Sequence, residues 1–147
     1  MTYTYDVLNR LTEAFLNGDE LDTYQFGLQG RLSMKGGITY TYPLTLPQPH
    51  AVLALTNGNE YTYDANGNMV ERTDLNRGVA ERFNHDALDR LDDARRNGVL
   101  TLDLAYDLTG NITSRSDVGS YAYHSTRKHA VVTAGSRSYA YDANGNM

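Results

Sequence analysis

Tyrosines alternate with other residues in several short segments of the chain. Tyr-x-Tyr pairs occur at 3/5, 40/42, 61/63, 121/123 and 139/141, and Tyr24-x-Phe26 continues the pattern. A period of two places both rings of a pair on one face of a β-strand. Tyrosine also favours strands, because its ring packs on a pleated surface while its hydroxyl stays in water or finds a partner. The pattern therefore predicts a series of short strands, each with one aromatic face.

Turn signals follow many of these pairs. An Asp often comes directly after the second ring, and Asn-Gly occurs at 17–18, 57–58, 66–67, 97–98 and 144–145. An Asp side chain accepts hydrogen bonds from backbone N–H groups two residues on, and Asn and Gly tolerate the left-handed conformation of tight turns. A second alternating stretch then begins, as at 69–73 and 112–116. Each segment thus predicts a strand, a tight turn and a second strand, which together form an antiparallel hairpin.

Two stretches depart from this succession of strands and tight turns. Residues 88–96 have a helix-friendly composition with apolar residues at 88, 91 and 94, but the matching stretch 8–16 alternates in a way that favours a strand. Three prolines make the segment 42–50 a poor strand, namely Pro43, Pro47 and Pro49. We therefore expect a strand at 8–16, a strand in preference to a short helix at 88–96, and an irregular loop after Tyr42.

The chain also repeats itself on a longer scale. Residues 60–69 match residues 138–147 at eight of ten positions, and His-Ala-Val recurs at 50–52 and 129–131. Further matches pair 6–11 with 86–91 and 26–32 with 106–112, both at an offset of 80. A fixed period of this kind is typical of repeat architectures. The sequence therefore predicts two copies of one unit, 1–80 and 81–147, the second truncated.

Composition and charge exclude several classes of protein. The chain has no Cys, so it has neither a disulfide framework nor a thiolate metal site. Its net charge is -5, whereas nucleic-acid partners are held by clustered Lys and Arg. No stretch approaches the roughly 20 apolar residues that span a bilayer, and the N-terminus lacks the basic and apolar regions of a signal peptide. We predict no nucleic-acid partner and no membrane span.

Candidate chemistry is sparse. Asp64-x-Asn66-x-Asn68 fits the opening of a calcium loop, but glycine stands at the fourth position instead of the sixth, and the twelfth is Leu75 where a bidentate Glu is needed. The four histidines are widely spaced and lack a metal-ligand spacing. The chain has no nucleophile elbow and no phosphate loop. The sequence therefore predicts no catalytic residue, no metal and no cofactor.

The segment Tyr61-Thr-Tyr-Asp-Ala-Asn-Gly-Asn-Met69, preceded by His50-Ala-Val, resembles the YD repeats of the rearrangement-hotspot (Rhs) family. Similar repeats occur in the teneurins and in the cocoon-forming subunits of insecticidal toxin complexes. The resemblance covers essentially the whole chain and implies an all-β fold, with antiparallel β-hairpin repeats forming an arc of a spiralling shell. The residues that carry the repeat motif are Tyr61, Tyr63, Asp64, Asn66, Gly67, Asn68, Tyr139, Tyr141, Asp142, Asn144, Gly145 and Asn146.

The resemblance also implies a function. In bacterial members the shell encloses a C-terminal toxin, so the expected role is a structural segment of a larger polymorphic-toxin-type protein that is secreted or displayed at the cell surface. Its partners would be the remainder of its own shell and the enclosed toxin domain. Such shells contain more repeats than this chain, which stops just after a turn, so we expect a fragment. The alternative is a cell-surface adhesion or carbohydrate-binding module, since tyrosine rings stack on the apolar face of a pyranose.

Overall fold

The computed structural model describes residues 1–44 and 48–147, and these fold into short antiparallel strands. The strands are β1 (Thr2–Tyr5), β2 (Leu11–Leu16), β3 (Asp19–Phe26), β4 (Leu32–Lys35), β5 (Ile38–Thr41), β6 (Ala54–Leu55), β7 (Asn59–Tyr63), β8 (Met69–Asp74), β9 (Val79–His85), β10 (Leu91–Arg96), β11 (Val99–Tyr106), β12 (Ile112–Arg115), β13 (Gly119–Tyr123), β14 (Val131–Ala134) and β15 (Arg137–Ser138). One 3-10 turn, Leu28–Gly30, interrupts the series. The predicted all-β class is confirmed.

The chain divides into two compact units, Met1–Ala80 and Glu81–Met147. Within each unit, strands that follow one another along the chain are neighbours in the sheet and pair antiparallel. The stretch 88–96, whose composition also fits a helix, contributes the strand β10, which pairs with both β9 and β11. The strand favoured by the comparison with residues 8–16 is therefore confirmed.

A β-bulge recurs at the aromatic residue that ends a strand. The pairing register shifts at this point between Thr4 and Tyr5, Gln25 and Phe26, Thr62 and Tyr63, Ala105 and Tyr106, and Ala122 and Tyr123. A bulge adds one residue to one strand and re-aims the side chains around it. The aromatic residue that ends each of these five strands therefore leaves the regular ladder just before the turn begins.

Apolar burial is small in the described part of the chain. Besides Pro43, four apolar residues are buried there: Ala14, Ala94, Leu104 and Ala134. The three alanines each lie directly opposite an aromatic residue on the neighbouring strand, in the pairs Tyr3–Ala14, Phe83–Ala94 and Tyr121–Ala134. Directly opposed residues share one face of the sheet, so the small side chain leaves room for the ring. With so little apolar core, the polar contacts of the turns carry more of the structural order.

The Asn-Gly sequences fall into different kinds of turn. At 17–18 and 97–98 both residues have positive φ and join two strands directly, as in the two-residue hairpin that Asn-Gly predicts. At 66–67 and 144–145 the glycine alone has positive φ, and the turn is longer. After Tyr42 no strand forms through residues 43–44 and 48–53, as two of the three prolines predict. Pro47 lies outside the described residues.

Candidate functional site

The residues after several aromatic pairs form a closed five-residue loop, here called an aspartate loop. In the loop 107–111, Oδ1 of Asp107 accepts hydrogen bonds from the backbone N–H of Thr109 at 2.8 Å and of Asn111 at 3.0 Å. The Thr109 hydroxyl donates to the same oxygen at 2.7 Å, and Asn111 Nδ2 donates to Oδ2 at 3.1 Å. Asp107 N–H in turn donates to the Asn111 carbonyl at 2.9 Å. One carboxylate thus satisfies most of the polar groups of its own loop.

The same arrangement recurs at four further places in the described chain. The aspartate loops are 6–10, 64–68, 86–90, 107–111 and 142–146, and in each of them Oδ1 accepts from the N–H groups two and four residues on. The predicted contact from two residues on is confirmed, and the contact from four residues on is an addition to it. The fifth residue of the loop also binds Oδ2 through its side chain, which is an Asn or an Arg.

Two aspartate loops, 6–10 and 86–90, have an arginine at the fifth position, and each is closed by a forked ion pair. Arg10 donates to Asp6 Oδ2 from Nε at 2.7 Å and from Nη2 at 2.6 Å, and Arg90 contacts Asp86 at the same distances. Each guanidinium also covers an aromatic ring of the next hairpin, that of Phe26 for Arg10 and that of Tyr106 for Arg90, at 4.5 Å and 4.3 Å from the ring centre. The fifth loop residue therefore fastens its own loop and reaches the following one.

The loop bonds favour the ionised carboxylate. Hydrogen bonds from the Thr109 side chain, and from the backbone and side chain of Asn111, lower the pKa of Asp107 to about 2. The pKa values of the other four loop aspartates are lowered as well, with the side-chain hydrogen bond from the fifth loop residue as the largest cause. These aspartates are charged structural caps at neutral pH.

Five tyrosines that directly precede a turn are anchored by their hydroxyls. Hydroxyls donate to backbone carbonyls in the pairs Tyr42–Leu32, Tyr63–Val52, Tyr106–Leu91, Tyr123–Ile112 and Tyr141–Val131, at 2.8 to 3.0 Å. Partial burial raises the pKa of Tyr42, Tyr63 and Tyr123. In the Tyr-Asp dipeptides at 63–64, 106–107 and 141–142, the tyrosine therefore binds an earlier segment while the aspartate closes the loop. Tyr5, before Asp6, is exposed and makes no such bond within the described residues.

We expect Tyr63→Phe to lower the free energy of unfolding by about 1 kcal/mol, because it removes the hydrogen bond to the Val52 carbonyl. Tyr61 lies two residues earlier on the same strand, and its hydroxyl has no hydrogen-bond partner within the described ranges. Tyr61→Phe is therefore the matched control and should have a much smaller effect. Urea unfolding followed by circular dichroism measures both changes, and equal losses would contradict the anchoring role.

Donors from neighbouring turns link successive loops along one edge of the sheet. In the first unit, Gln48 Nε2 donates to the carbonyls of Asp64 and Ala65, both at 3.0 Å. In the second unit, the Arg127 guanidinium donates to the carbonyls of Asp142 and Ala143, both at 2.9 Å. In both cases a forked donor covers the first two carbonyls of the next aspartate loop. The loops of a unit are therefore connected to their neighbours as well as closed internally.

In some turns another residue replaces the aspartate or the tyrosine of the Tyr-Asp dipeptide. His124 occupies the aspartate position, and its Nδ1 accepts from the N–H groups of Thr126 and Arg127, both at 3.3 Å. Gly27 occupies another such position, where the backbone alone closes the turn from Gly27 N–H to the Arg31 carbonyl at 2.8 Å. His85 stands where a tyrosine is usual, and its buried Nδ1 has no hydrogen-bond partner in the described part of the chain. The motif thus tolerates substitutions at either residue of the dipeptide.

We expect Gly27→Asp to stabilise the protein by restoring an aspartate loop. A Cβ at position 27 would lie 3.7 Å from the nearest heavy atom, on Ser33, which is ordinary contact, and Arg31 stands four residues on as Arg10 does from Asp6. In the unsubstituted protein Gln29 has a left-handed φ of 64°. In the Gly27→Asp variant its backbone N–H should reorient and donate a hydrogen bond to the new carboxylate.

Gly27→Ala is the control for this substitution, since it adds the Cβ without the carboxylate. It should stabilise by about 0.4–1 kcal/mol through reduced freedom of the unfolded chain. Chemical denaturation of the three proteins at neutral pH separates the two contributions. A Gly27→Asp protein no more stable than Gly27→Ala would show that the turn does not capture the carboxylate.

The structure places the sequence-predicted motif residues in two separate loops. Asp64, Asn66, Gly67 and Asn68 form one loop behind Tyr63, and the corresponding residues 142, 144, 145 and 146 form the other behind Tyr141. Tyr61 and Tyr139 stand two residues before the anchored rings. The sequence prediction did not include the equivalent loops headed by Asp6, Asp86 and Asp107, although an Asp followed by Asn or Arg four residues on would have found all five.

The Asp64 side chain, considered above as the start of a calcium loop, directs Oδ1 to the N–H groups of Asn66 and Asn68 and Oδ2 to the Asn68 amide. These are the contacts of a satisfied turn. Within residues 1–44 and 48–147, no group of three or more His, Asp or Glu side chains is placed to hold a metal ion. Nor do these residues include a helix of the length and apolar character needed to cross a bilayer.

The family model described as the teneurin YD-shell matches residues 1–134. The chain belongs to the teneurin YD-shell family. This match confirms the resemblance drawn from residues 50–69. The aspartate loops and the anchored tyrosines therefore belong to a structural shell domain. A comparison with curated proteins gives no significant match. In this YD-shell chain, the Tyr-Asp dipeptides at 5–6, 63–64 and 106–107 mark where a bulged strand ends and an aspartate loop begins.

Proposed function

We propose that this YD-shell chain is a wall segment of a shell that encloses a polypeptide cargo, and that it has no catalytic centre of its own. One observation carries the proposal: the five loop aspartates and the five anchored tyrosines use their polar groups in hydrogen bonds within the chain itself. Each aspartate closes its own loop, and the anchored tyrosines bind backbone carbonyls. Residues used in this way build a surface and leave little to act on a substrate.

The two units fit this role as successive copies of one building block. Ala14 and Ala94 are buried at equivalent positions 80 residues apart, and Asp6–Arg10 and Asp86–Arg90 form the same ion pair. A repeat architecture gains stability by adding such blocks, since each repeat contacts its neighbours. We infer that 1–80 and 81–147 are one arc of a longer series, whose partners are the remainder of the shell and an enclosed toxin domain.

By this proposal the complete protein is secreted or displayed at the cell surface, and the repeats shield the toxin until delivery. The test uses the protein encoded by the whole gene. If further YD repeats precede an unrelated C-terminal domain, limited proteolysis of the intact protein should leave that domain uncut. Urea that opens the sheet should then expose it. A C-terminal domain digested as fast in the intact protein as on its own would overturn the enclosing role.

A second candidate is a cell-surface adhesion or carbohydrate-binding module. Its support is the pair of tyrosines on β1, Tyr3 and Tyr5, whose side chains are 49% and 58% exposed and could stack on sugar rings. Glycan-array binding by the chain, lost in a Tyr3→Ala/Tyr5→Ala double variant, would favour this function. An array signal at background would remove it.

A further inference from the structure

Two of the Asn-Gly sequences form hairpin tips whose backbone is open to solvent. Residues 17–18 join β2 to β3, and residues 97–98 join β10 to β11. All four residues are exposed, and a Cβ at either glycine would have no heavy atom within 4 Å. Within the described residues, neither Gly18 nor Gly98 donates its backbone N–H in a hydrogen bond. Both glycine amides are therefore accessible to water and unbonded to the protein.

The other Asn-Gly sequences hold the same amide in a hydrogen bond. The glycine N–H donates to a carbonyl three residues earlier in the pairs Gly58–Leu55 at 3.0 Å, Gly67–Asp64 at 3.2 Å and Gly145–Asp142 at 3.1 Å. Asn57 and Asn66 are exposed as well, so exposure does not separate the two groups of turns. The Asn57 side chain is also engaged, because its Oδ1 accepts from Asn59 Nδ2 at 2.8 Å. What separates the groups is the state of the glycine N–H.

This difference matters because an Asn followed by Gly can react with its own backbone, and Asn is among the thermally labile residues. The nitrogen of the following residue can attack the side-chain amide carbon and close a five-membered ring, and glycine has no side chain to obstruct the approach. The attacking nitrogen must lose its proton and move toward the side chain. A hydrogen bond from that N–H to a carbonyl opposes both steps, because it must be broken first.

We propose that Asn17 and Asn97 are sites of deamidation in the folded protein. At the first site, the Gly18 nitrogen bonds to Cγ of Asn17 as its proton passes to water, the Cγ–Nδ2 bond breaks, and the amide group takes up a proton and leaves as ammonia. A water molecule then opens the cyclic imide at either of its carbonyls, which leaves aspartate or isoaspartate. The reaction consumes one water, releases one ammonia and needs no oxidant. It is independent of the enclosing role, because it uses none of the aspartate loops.

The isoaspartate product changes the hairpin itself. In this product the main chain runs through the side-chain methylene, so the turn gains one main-chain atom. The hairpin between β2 and β3 has two residues between the paired Leu16 and Asp19, and hairpin pairing depends on the length and type of the turn. We therefore expect the adjoining ends of β2 and β3 to lose amide protection as isoaspartate accumulates.

The experiment follows all of these sites in one sample. The folded chain is incubated at neutral pH, and peptide mass spectrometry measures the replacement of the amide by a carboxyl at each Asn-Gly sequence, with fragmentation that distinguishes isoaspartate from aspartate. The same chain in concentrated urea gives the rate at each site without structure, which corrects for neighbouring residues. After this correction, Asn17 and Asn97 should react at least about tenfold faster than Asn57 and Asn66.

Two variants test the physical cause. Asp64→Ala removes the carboxylate that accepts from the N–H groups of Asn66 and Asn68, and so loosens the loop that holds Gly67. It should raise the rate at Asn66 by at least about threefold and leave the rate at Asn17 unchanged. Asn17→Gly removes the reacting side chain, and Gly-Gly suits the same hairpin turn. This variant should retain the amide protection of β2 and β3 through the incubation.

Three outcomes would overturn the proposal. Equal corrected rates at the four sites, or faster reaction at Asn57 or Asn66, would mean that the glycine N–H does not govern the reaction. The absence of conversion at Asn17 and Asn97 in the folded chain would remove the sites. An Asp64→Ala protein that reacts no faster at Asn66, or equally faster at every site, would contradict protection by the aspartate loop.

Discussion

Gly135→Ala should lower the free energy of unfolding of the second unit by about 2–5 kcal/mol, from left-handed strain and overpacking together. Gly135 has a φ of 55°, which an L-residue adopts only with strain. A Cβ there would also lie 2.0 Å from the Val118 carbonyl oxygen, which is a backbone atom and cannot simply rotate away. The Gly135 N–H already donates to the Ser120 carbonyl at 2.9 Å, so the strand is held where the collision occurs.

Gly98→Ala is the control for this prediction. Gly98 lies in the same unit and has a φ of 81°, so the backbone strain of an alanine is at least as large there, but a Cβ at this position would have no heavy atom within 4 Å. The difference between the two variants isolates the collision with Val118 and should be about 1–3 kcal/mol. Guanidinium unfolding measures it. Equal destabilisation would mean that the segment around Val118 moves aside at no cost.

Acidification should unfold the protein well below neutral pH, because several loops lose their caps together. Five loop aspartates have lowered pKa values: Asp6, Asp64, Asp86, Asp107 and Asp142. A carboxyl with a lower pKa in the folded state contributes stability that is fully present above its unfolded pKa, ordinarily 3.8, and is lost as the pH falls through its folded pKa. For Asp107 that window runs from about 3.8 down to about 2.

Thermal midpoints recorded from pH 7 to pH 2 test this expectation. Stability should change little above about pH 5 and fall steeply below about pH 4. Asp107→Asn is the matched control, since an amide oxygen still accepts the N–H groups of Thr109 and Asn111 but does not titrate in this range. Its stability should depend less steeply on pH than that of the unsubstituted protein. Identical slopes would show that the Asp107 charge does not contribute to folding.

The sequence was informative where structure is encoded within a few residues. Tyr-x-Tyr alternation predicted the strands at 3/5, 61/63 and 121/123, because its period is local, but the pair 139/141 lies outside a strand and there the prediction was wrong. Asn-Gly at 17–18 and 97–98 predicted two-residue hairpins, because turn chemistry is local as well. The helical spacing at 88–96 was ambiguous by itself. Pairing of Ala94 with Phe83 on one side and Leu102 on the other determines the strand, and such pairing is a property of the sheet.

Other parts of the site depend on residues that meet only after the sheet forms. The link from Arg127 to the Asp142 loop joins residues 15 apart along the chain, and nothing in the composition of either turn marks it. The prediction included Asn68 and Asn146, but the role that Asn and Arg share at the fifth loop position was missed for a different reason. Asn68 and Arg90 look unrelated as residue types, yet each donates to Oδ2 of an aspartate four residues earlier. A search for one residue type cannot find a role that two types share.

Strand order that follows the chain within each unit has a kinetic consequence. Every strand finds its partner in the adjacent hairpin, so closing each contact fixes only a short loop of backbone, and the contact order is low for an all-β protein. Sandwiches and barrels must wait for distant strands to meet, whereas this chain can add hairpins as they are synthesised. Its sheet can therefore grow outward from the first hairpin that forms, without a late long-range step.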